Sequence, residues 1–296
     1  TVNGITSKTF GTSSIMIGDD ATGTIDAANY NTGLGVDVFA ALTTGDYNTT
    51  IGFRSLNDLT TGSYNTGLGA LALDKVTTAN SNTALGYNTL AAVTTGANNT
   101  AVGTSALDAT TTGASNVAMG VAALGANTTA SDNVAIGYAA LTANTTGTQN
   151  TAVGSAALDA VTTGSYSTAI GYAALSNQTT AGYNTAVGRY AGLAVTTGTN
   201  EVFIGYHAGY STTTGSHNVA IGVEAFDANT TGASNTAVGT SALGANTTAS
   251  NNTAVGTSAL AANTTATGNT AVGALSLDAN TTGASNTAVG QSALGS

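Results

Sequence analysis

Few residues in this chain are suited to acid–base or nucleophilic chemistry. The sequence has no Cys and only two His, His207 and His217. A Ser-His-Asp or Cys-His site needs one of these residue types beside a nucleophile, and neither His lies in a distinctive motif. His207 precedes Glu224 by 17 residues, a pair that could hold a proton or a metal ion but better fits a structural contact. We therefore predict no catalytic, metal-binding or cofactor-binding residues, and no enzyme activity.

Two adjacent carboxylates near the start, Asp19 and Asp20, are the other candidates for chemistry. A pair of carboxylates can hydrolyse a glycosidic bond, but neighbouring residues on a strand point in opposite directions. We expect both side chains to be solvated. Neither a phosphate-binding G-x-x-x-x-G-K-[ST] loop nor a calcium-binding G-G-x-G-x-D repeat occurs in the sequence.

Composition excludes several functional classes. The chain has 296 residues with no Pro or Trp, and only 6% are charged, against about 25% in ordinary globular proteins. The net charge of −10 argues against nucleic acid, because affinity for phosphates requires Lys and Arg. We expect no membrane insertion, since no run of about 18 apolar residues occurs. The abundance of β-branched residues and the scarcity of charge also argue against disorder.

A glycine repeats through the chain at intervals of exactly one spacing, 17 residues. We call its position slot 0 and number the other slots from it. The repeated glycines are Gly18, Gly35, Gly52, Gly69, Gly86, Gly103, Gly120, Gly137, Gly154, Gly171, Gly188, Gly205, Gly222, Gly239, Gly256, Gly273 and Gly290.

The slots around this glycine predict one strand and one turn in every repeat. Slots −3 to −1 read Thr-Ala-Val or similar, which alternates as a strand requires. Slot −4 is Asn in fourteen repeats, slot +4 is mostly Leu, and slots +8 and +9 are Thr-Thr in fifteen. The Thr-Thr-Gly stretch has turn chemistry, and the Ala-Leu-x-Ala stretch is either a short strand or one helical turn.

The repeat length indicates the fold. Seventeen residues are too few for a helix pair and suit one coil of a solenoid. We predict an all-β parallel β-solenoid of about 17 coils at about 4.8 Å each, forming one continuous domain over residues 1–296. The Asn-Thr-Thr sequences, which resemble glycosylation acceptors, recur with the repeat and are interpreted as turns.

Stacked coils place residues 17 apart side by side. The rare residues fit this register: Asp37 precedes Arg54, Asp58 precedes Lys75, and Arg189 lies midway between Tyr172 and Tyr206, a predicted cation–π sandwich. Tyrosines form two runs at the same spacing, which are Tyr30, Tyr47 and Tyr64, and Tyr166 and Tyr183.

Both faces of the predicted strand are apolar. The Ala of slot −2 points one way, and the β-branched and aliphatic residues of slots −3 and −1 point the other way. One face can line the interior of the coil, and the other would leave a long apolar stripe, which usually marks an interface. The sequence leaves open which face is which, although a regular Ala ladder would suit close approach between chains.

The repeat resembles known fibrous proteins. Asn133–Gly137 and Asn218–Gly222, both Asn-Val-Ala-Ile-Gly, are similar to the repeat core of trimeric autotransporter adhesin heads, which are left-handed parallel β-rolls. The longer unit beginning at Asn235 resembles repeats of phage tail fibres and related bacterial surface fibres. The resemblance covers essentially the whole chain and implies a left-handed homotrimer that serves attachment or projection. It also implies an extracellular, cell-surface or virion location and a host-cell receptor or glycan as partner.

One stretch, from residue 189 to residue 226, departs most from the repeat. Gly192 and Gly209 replace the Leu of slot +4, and Phe203 replaces an Ala. Aromatic and Arg side chains are common anchors of recognition, whereas the bland alternative is that Phe203 fills the space of the missing Leu side chains. The predicted recognition residues are Arg189, Tyr190, Glu201, Phe203, Tyr206, His207, Tyr210, His217 and Glu224.

The leading hypothesis is therefore a structural or adhesive fibre segment, with three alternatives. Stacked Thr-Thr pairs suggest an ice-binding solenoid, although successive Thr side chains would face opposite ways on a strand. A self-assembling extracellular filament is also compatible with end-to-end stacking of such repeats. A polysaccharide-cleaving spike lacks candidate catalytic groups.

Overall fold

The computed structural model describes residues 7–10, 13–18 and 27–295. This part of the chain is built of strands and turns, and it includes no helix of the length and apolarity needed to cross a membrane. Two compact units are present, residues 1–148 and residues 149–296, and each is described by itself. Asp19 and Asp20 lie outside the described residues. The continuous domain over 1–296 and the left-handed coil stay predictions.

Unit 1 contains one short strand followed by eight strands that pair in parallel. In its described residues the strands are β1 (Ser7–Phe10), β2 (Ser14–Gly18), β3 (Thr32–Gly35), β4 (Thr49–Ile51), β5 (Thr66–Leu68), β6 (Thr83–Leu85), β7 (Thr100–Val102), β8 (Val117–Met119) and β9 (Val134–Ile136). Strand β1 pairs antiparallel with β2, so the chain reverses between them and the parallel stacking begins at β2, one repeat later than the spacing of the sequence suggested.

Unit 2 contains nine described strands, all parallel to their neighbours within the unit. They are β10 (Thr151–Val153), β11 (Thr168–Ile170), β12 (Thr185–Val187), β13 (Val202–Ile204), β14 (Val219–Ile221), β15 (Thr236–Val238), β16 (Thr253–Val255), β17 (Thr270–Val272) and β18 (Thr287–Val289). Ala152 pairs with Ala169, and Ala169 pairs with Ala186. The register is therefore 17 residues in both units, which confirms the all-β parallel solenoid with one coil per repeat.

The slot 0 glycine is required by both backbone conformation and contact between coils. Gly171 and Gly188 have φ angles of 134° and 138°, which L side chains rarely adopt. A Cβ atom added to Gly171 would lie 2.5 Å from the carbonyl oxygen of Gly188 in the next coil. Any side chain at this slot would therefore push adjacent coils apart, which explains why the spacing is kept without exception.

The Ala-Leu-x-Ala segment forms neither of the two structures that the sequence left open. It is a series of turns, in which Ala140 N donates to Gly137 O at 3.3 Å and Asn144 N donates to Leu141 O at 3.2 Å. Leu141 has a φ of 55°, a left-handed conformation that costs a non-glycine residue about 1–2 kcal/mol. Bonds to the coils on either side offset this cost, because the backbone of the segment pairs with both neighbours.

The interior settles which strand face is which. The slot −2 side chains, such as Ala101 and Ala237, are fully buried inside the coil and pack with the slot +4 leucines, such as Leu107 and Leu243. The aliphatic residues of slot −1 point outward. The expectation that an Ala ladder mediates contact between chains is therefore wrong, because the Ala side chains are the core of the chain itself.

A buried asparagine ladder runs through slot −4. Asn65 shows its pattern: the backbone N and the Nδ2 of Asn65 donate to Oδ1 of Asn48 in the preceding coil, at 2.9 and 3.1 Å. Its Nδ2 also donates to Ala79 O at 2.9 Å, across the interior of its own coil. Because buried polar groups are costly unless bonded, this ladder both ties coils together and closes each coil.

The paired threonines do different jobs. Thr60 Oγ1 donates to Thr77 O of the next coil at 3.0 Å, whereas Thr61 is exposed. The pairs therefore form one outward row of Thr side chains rather than the double array on which the ice-binding hypothesis depends. A second asparagine ladder follows at slot +7, where Asn246 Nδ2 donates to Asn229 Oδ1 at 3.2 Å. Both are fully buried, so these Asn-Thr-Thr sequences are structural and not accessible for glycosylation.

Candidate recognition surface

The most distinctive outer surface lies on unit 2, on the turn segment that follows β11, β12 and β13. We call it the aromatic surface and define it as Tyr172, Arg189, Tyr190, Tyr206, His207 and Tyr210. Tyr172, Arg189 and Tyr206 occupy slot +1 of three successive coils, and Tyr190 and His207 occupy slot +2. The glycine turn after each strand points slot +1 outward, and the left-handed φ of 61° at Tyr190 and 57° at His207 directs slot +2 along the same segment.

Arg189 is held against two aromatic rings. Its guanidinium carbon lies 4.7 Å from the ring centroid of Tyr190 and 5.7 Å from that of Tyr172. Its Nη2 donates to the hydroxyl of Tyr190 at 3.4 Å, and this bond raises the pKa of Arg189 above its ordinary value. The predicted sandwich between Tyr172 and Tyr206 is thus half right, because Tyr190 takes the place of Tyr206.

His207 lies inside a stack of rings. The centroid of its imidazole is 4.0 Å from that of Tyr206 and 4.4 Å from that of Tyr210, with both rings close to parallel. Tyr190 meets His207 and Tyr210 edge-on, at 5.5 and 6.2 Å. The backbone of Glu224 bonds to Tyr206 O at 2.9 Å, which confirms the coil register, but no ion pair joins His207 to Glu224 among the described residues. The ring stack replaces the predicted pair.

The interior beneath this surface is rebuilt around one ring. Phe203 is fully buried, and a Cβ atom added to Gly209 would lie 2.6 Å from its ring; one added to Gly192 would lie 2.8 Å from it. The phenyl ring therefore occupies the space that two leucines fill in regular coils, as the bland alternative predicted. Gly33 and Phe39 in unit 1 show the reverse exchange, since a Cβ on Gly33 would lie 3.1 Å from the ring of Phe39.

Glu201 is a buried carboxyl in the slot −4 ladder. Its Oε2 accepts from Asn218 N at 3.0 Å, its Oε1 accepts from Asn218 Nδ2 at 3.1 Å, and its own backbone N donates to Asn184 Oδ1 at 2.9 Å. Burial raises the pKa of Glu201 to about 8, although the two bonds from Asn218 oppose the shift. The acid therefore takes over the ladder role of Asn and is protonated at neutral pH.

A second irregularity in the same ladder is compensated locally. Ser167 is too short to span the coil, and Gln178 reaches across from slot +7 instead. Gln178 Nε2 donates to Ser167 Oγ at 3.1 Å and to Ala181 O at 3.0 Å, while its Oε1 accepts from Asn184 Nδ2 at 2.8 Å. All three side chains are buried, so the ladder continues through the substitution.

The predicted recognition residues therefore divide into three groups. Arg189, Tyr190, Tyr206, His207 and Tyr210 come together on the aromatic surface, and Glu224 is exposed in the next coil. His217 is exposed at slot +12, where its Nε2 lies 3.5 Å from Nδ2 of Asn200. Glu201 and Phe203 are fully buried, so they support the surface from inside and cannot touch a partner. The sequence did not single out Tyr172, although its slot +1 position beside Arg189 was the signal that identifies it.

Charged residues of unit 1 provide a contrast. Lys75 Nζ lies 3.0 Å from Asp58 Oδ2, as the register predicted, and 3.4 Å from Asp74 Oδ2. Arg54 forms an ion pair with Asp74 at 3.4 Å, without hydrogen-bond geometry, and not with Asp37. Asp74 attracts both cations because its side chain is held, largely buried, at the next coil.

Tyrosine stacks also follow the predicted register. The ring centroids of Tyr30 and Tyr47 are 4.8 Å apart, those of Tyr47 and Tyr64 are 5.1 Å apart, and those of Tyr166 and Tyr183 are 5.0 Å apart. In these runs the ring faces cover one another. The aromatic surface differs, because its rings meet at several angles.

Metal-ligand chemistry is not gathered at one place. Among residues 7–10, 13–18 and 27–295, no three His, Cys, Asp or Glu side chains converge as a metal site would require. Comparison with family models, with curated proteins and with solved structures finds no match for this chain. The fold and the aromatic surface are therefore the basis for a functional proposal.

Proposed function

We propose that this chain is a non-enzymatic structural and adhesive segment of an extracellular fibre, such as a phage tail fibre shaft or a bacterial surface adhesin head. The observation that carries the proposal is the outward-facing aliphatic row at slot −1 of the strands. In unit 2, Ile170, Ile204, Ile221, Val255 and Val272 are each 36–40% exposed. A repeating apolar stripe of this kind usually marks an interface.

The partner that fits this row is another copy of the same chain. A solenoid whose coils repeat presents the same side chains at the same interval, so two copies aligned along their axes match over many coils. The resemblance to trimeric adhesin heads supports a homotrimer. A host-cell receptor or glycan is the second partner, and the location is the cell surface or a virion. The net charge of −10 speaks against nucleic acid as a partner.

Oligomeric mass tests the proposal. The variant Ile170→Lys, Val187→Glu, Ile204→Lys makes the row polar while placing opposite charges on successive coils, which spares the coil itself. We expect the unmodified chain to have the mass of a trimer by light scattering, and this variant to be a folded monomer by circular dichroism. Ala169→Asp serves as the contrast, because a charge at this interior slot should unfold the coil and not merely separate chains.

Three results would count against the proposal or change it. A monomeric unmodified chain would remove the self-association step. A trimer that persists in the triple variant would show that the slot −1 row is not the interface. A mass that grows without limit as concentration rises would favour the self-assembling filament.

A further inference from the structure

Arg189 differs from the other two cations whose side chains the structure describes. Arg54 and Lys75 each form ion pairs with aspartates, whereas Arg189 makes no ion pair among the described residues. Its side chain is exposed, and two aromatic rings fix its position. In a chain with 14 acidic residues, a solvent-facing guanidinium beside rings and away from carboxylates is the exception that needs a reason.

The way Arg189 is held leaves it suited to bind a carboxylate. Its planar face packs against Tyr190, and one Nη2–H group bonds the Tyr190 hydroxyl. The remaining N–H groups lie at the edge of the guanidinium, and such an edge matches a carboxylate through two parallel bonds. Since the rings already restrict the side chain, less rotamer entropy is lost when a ligand binds.

The neighbours of Arg189 are spaced regularly along the coil axis. Tyr172, Arg189 and Tyr206 occupy the same slot in successive coils, so the two tyrosines are about 10 Å apart with the cation between them. Tyr172 and Tyr206 are 49% and 41% exposed. An extended polysaccharide repeats over a similar distance every second sugar, and aromatic rings pack well against the C–H faces of sugars. Phe53 and Tyr87 in unit 1 have the same two-coil interval, with Ala70 in place of a cation.

We propose that the aromatic surface binds an extended polysaccharide that carries carboxylates, of the polyuronate class. Arg189 pairs with the carboxylate of one sugar, and Tyr172 and Tyr206 pack against the sugars on either side. This inference rests on the proposed attachment role and names the ligand of that role.

Peptide ligands fit the same observations less well. An extended strand repeats every two residues, about 6.6 Å, which does not match the two-coil interval. A polyproline II helix repeats at about 9 Å, which does match it, but such a helix presents no anion to Arg189. The cation at the centre of the row therefore favours the acidic polysaccharide.

Calorimetric titration of the intact chain with four probes tests the site. The probes are oligogalacturonate, its methyl ester, a sulfated galactan of similar length and a polyproline peptide. We expect binding of oligogalacturonate alone, and a loss of affinity of about 10- to 100-fold in Arg189→Gln, the scale of hydrogen bonds to a charged group. Arg189→Lys should fall between the two, because it keeps the charge and loses the paired bonds. Arg54→Gln, a matched change at an ion-paired Arg, should bind as the unmodified chain does.

Each contrary outcome overturns the proposal. Absence of oligogalacturonate binding, equal binding of the methyl ester, or unchanged affinity in Arg189→Gln would remove the carboxylate site. Binding of the sulfated galactan at equal strength would defeat the assignment to carboxylate, and preference for polyproline would assign the surface to a peptide. The result is separable from the oligomer test, because a monomer that binds oligogalacturonate defeats the trimer alone, and a trimer that does not bind it defeats the site alone.

Discussion

Two stretches of unit 2 build the same coil from different residues. Between residues 229 and 281, each coil packs Ala at slot −2 against Leu at slot +4, as Ala254 and Leu260 do. Between residues 189 and 226, Phe203 fills the space opposite Gly192 and Gly209. Hydrogen bonds between coils have the same pattern in both stretches. The backbone therefore sets the geometry, and the interior requires only that the total side-chain volume be conserved, as packed cores generally do.

The outer surfaces of the two stretches differ more than the interiors. The regular stretch presents Thr, Ser and Ala at slots +1 and +2, whereas the irregular stretch presents Arg, Tyr and His. The change in the core accompanies a change on the outside, and only the second can meet a partner. The following predictions separate the two, from the largest expected effect on stability to the smallest.

The largest effect should come from Glu201 and should depend on pH. The folded-state pKa of about 8 lies above the ordinary value of 4.5, so the folded chain holds a proton that the unfolded chain releases between these values. The stabilisation is complete below pH 4.5 and is lost as pH rises through 8. The full difference is roughly 5 kcal/mol by linkage. Denaturant unfolding at pH 5 and at pH 8.5 measures it.

Glu201→Asn is the matched control, because Asn occupies this slot in fourteen coils. Its amide can accept from Asn218 as Asn48 Oδ1 accepts from Asn65. This variant should be less dependent on pH and more stable than the unmodified chain at pH 8.5. Buried Asp227, whose pKa is also raised by burial, contributes in the same direction in both proteins, so the difference between them isolates Glu201. Identical pH dependence would rule out a buried, protonated Glu201.

The next effect should come from the exchanged core. Phe203→Ala opens a cavity and should cost about 3–5 kcal/mol. Gly209→Leu should also destabilise, since its side chain would collide with the ring of Phe203. The combination Phe203→Ala, Gly192→Leu, Gly209→Leu restores the regular pattern and should recover most of the loss. Urea unfolding of the single and combined variants gives the coupling between them; additive costs would show that the three residues do not share one space.

The sequence carried the architecture because the repeat fixes it. The register of Ala152 with Ala169 and the ion pair of Asp58 with Lys75 follow directly from the 17-residue spacing. The exchange between Phe203 and two glycines was also visible, because a large residue and missing leucines lie at defined slots.

Other features could not be read from the spacing. The slot −4 asparagines were recognised as regular but not as a buried ladder, since a polar residue in the interior is unusual unless its bonds are known. The left-handed leucines, such as Leu141 with a φ of 55°, contradict ordinary preference, so the sequence suggested a strand or a helical turn. Arg189 chooses Tyr190 over Tyr206 because slot +2 is bent toward it, and the register alone does not contain that bend.

The smallest effect should come from the outer surface. Arg189→Gln removes a cation–π contact that is exposed to solvent, and such contacts contribute about 0.5–1 kcal/mol. The guanidinium makes no other bond than that to Tyr190 among the described residues, so no buried partner is stranded by the change. We expect the free energy of unfolding to fall by at most about 1 kcal/mol, measured in urea at pH 7. A loss as large as that of Phe203→Ala would mean that Arg189 is part of the framework of the coil, and its exposed position beside Tyr172 and Tyr190 would then be explained by stability and not by recognition.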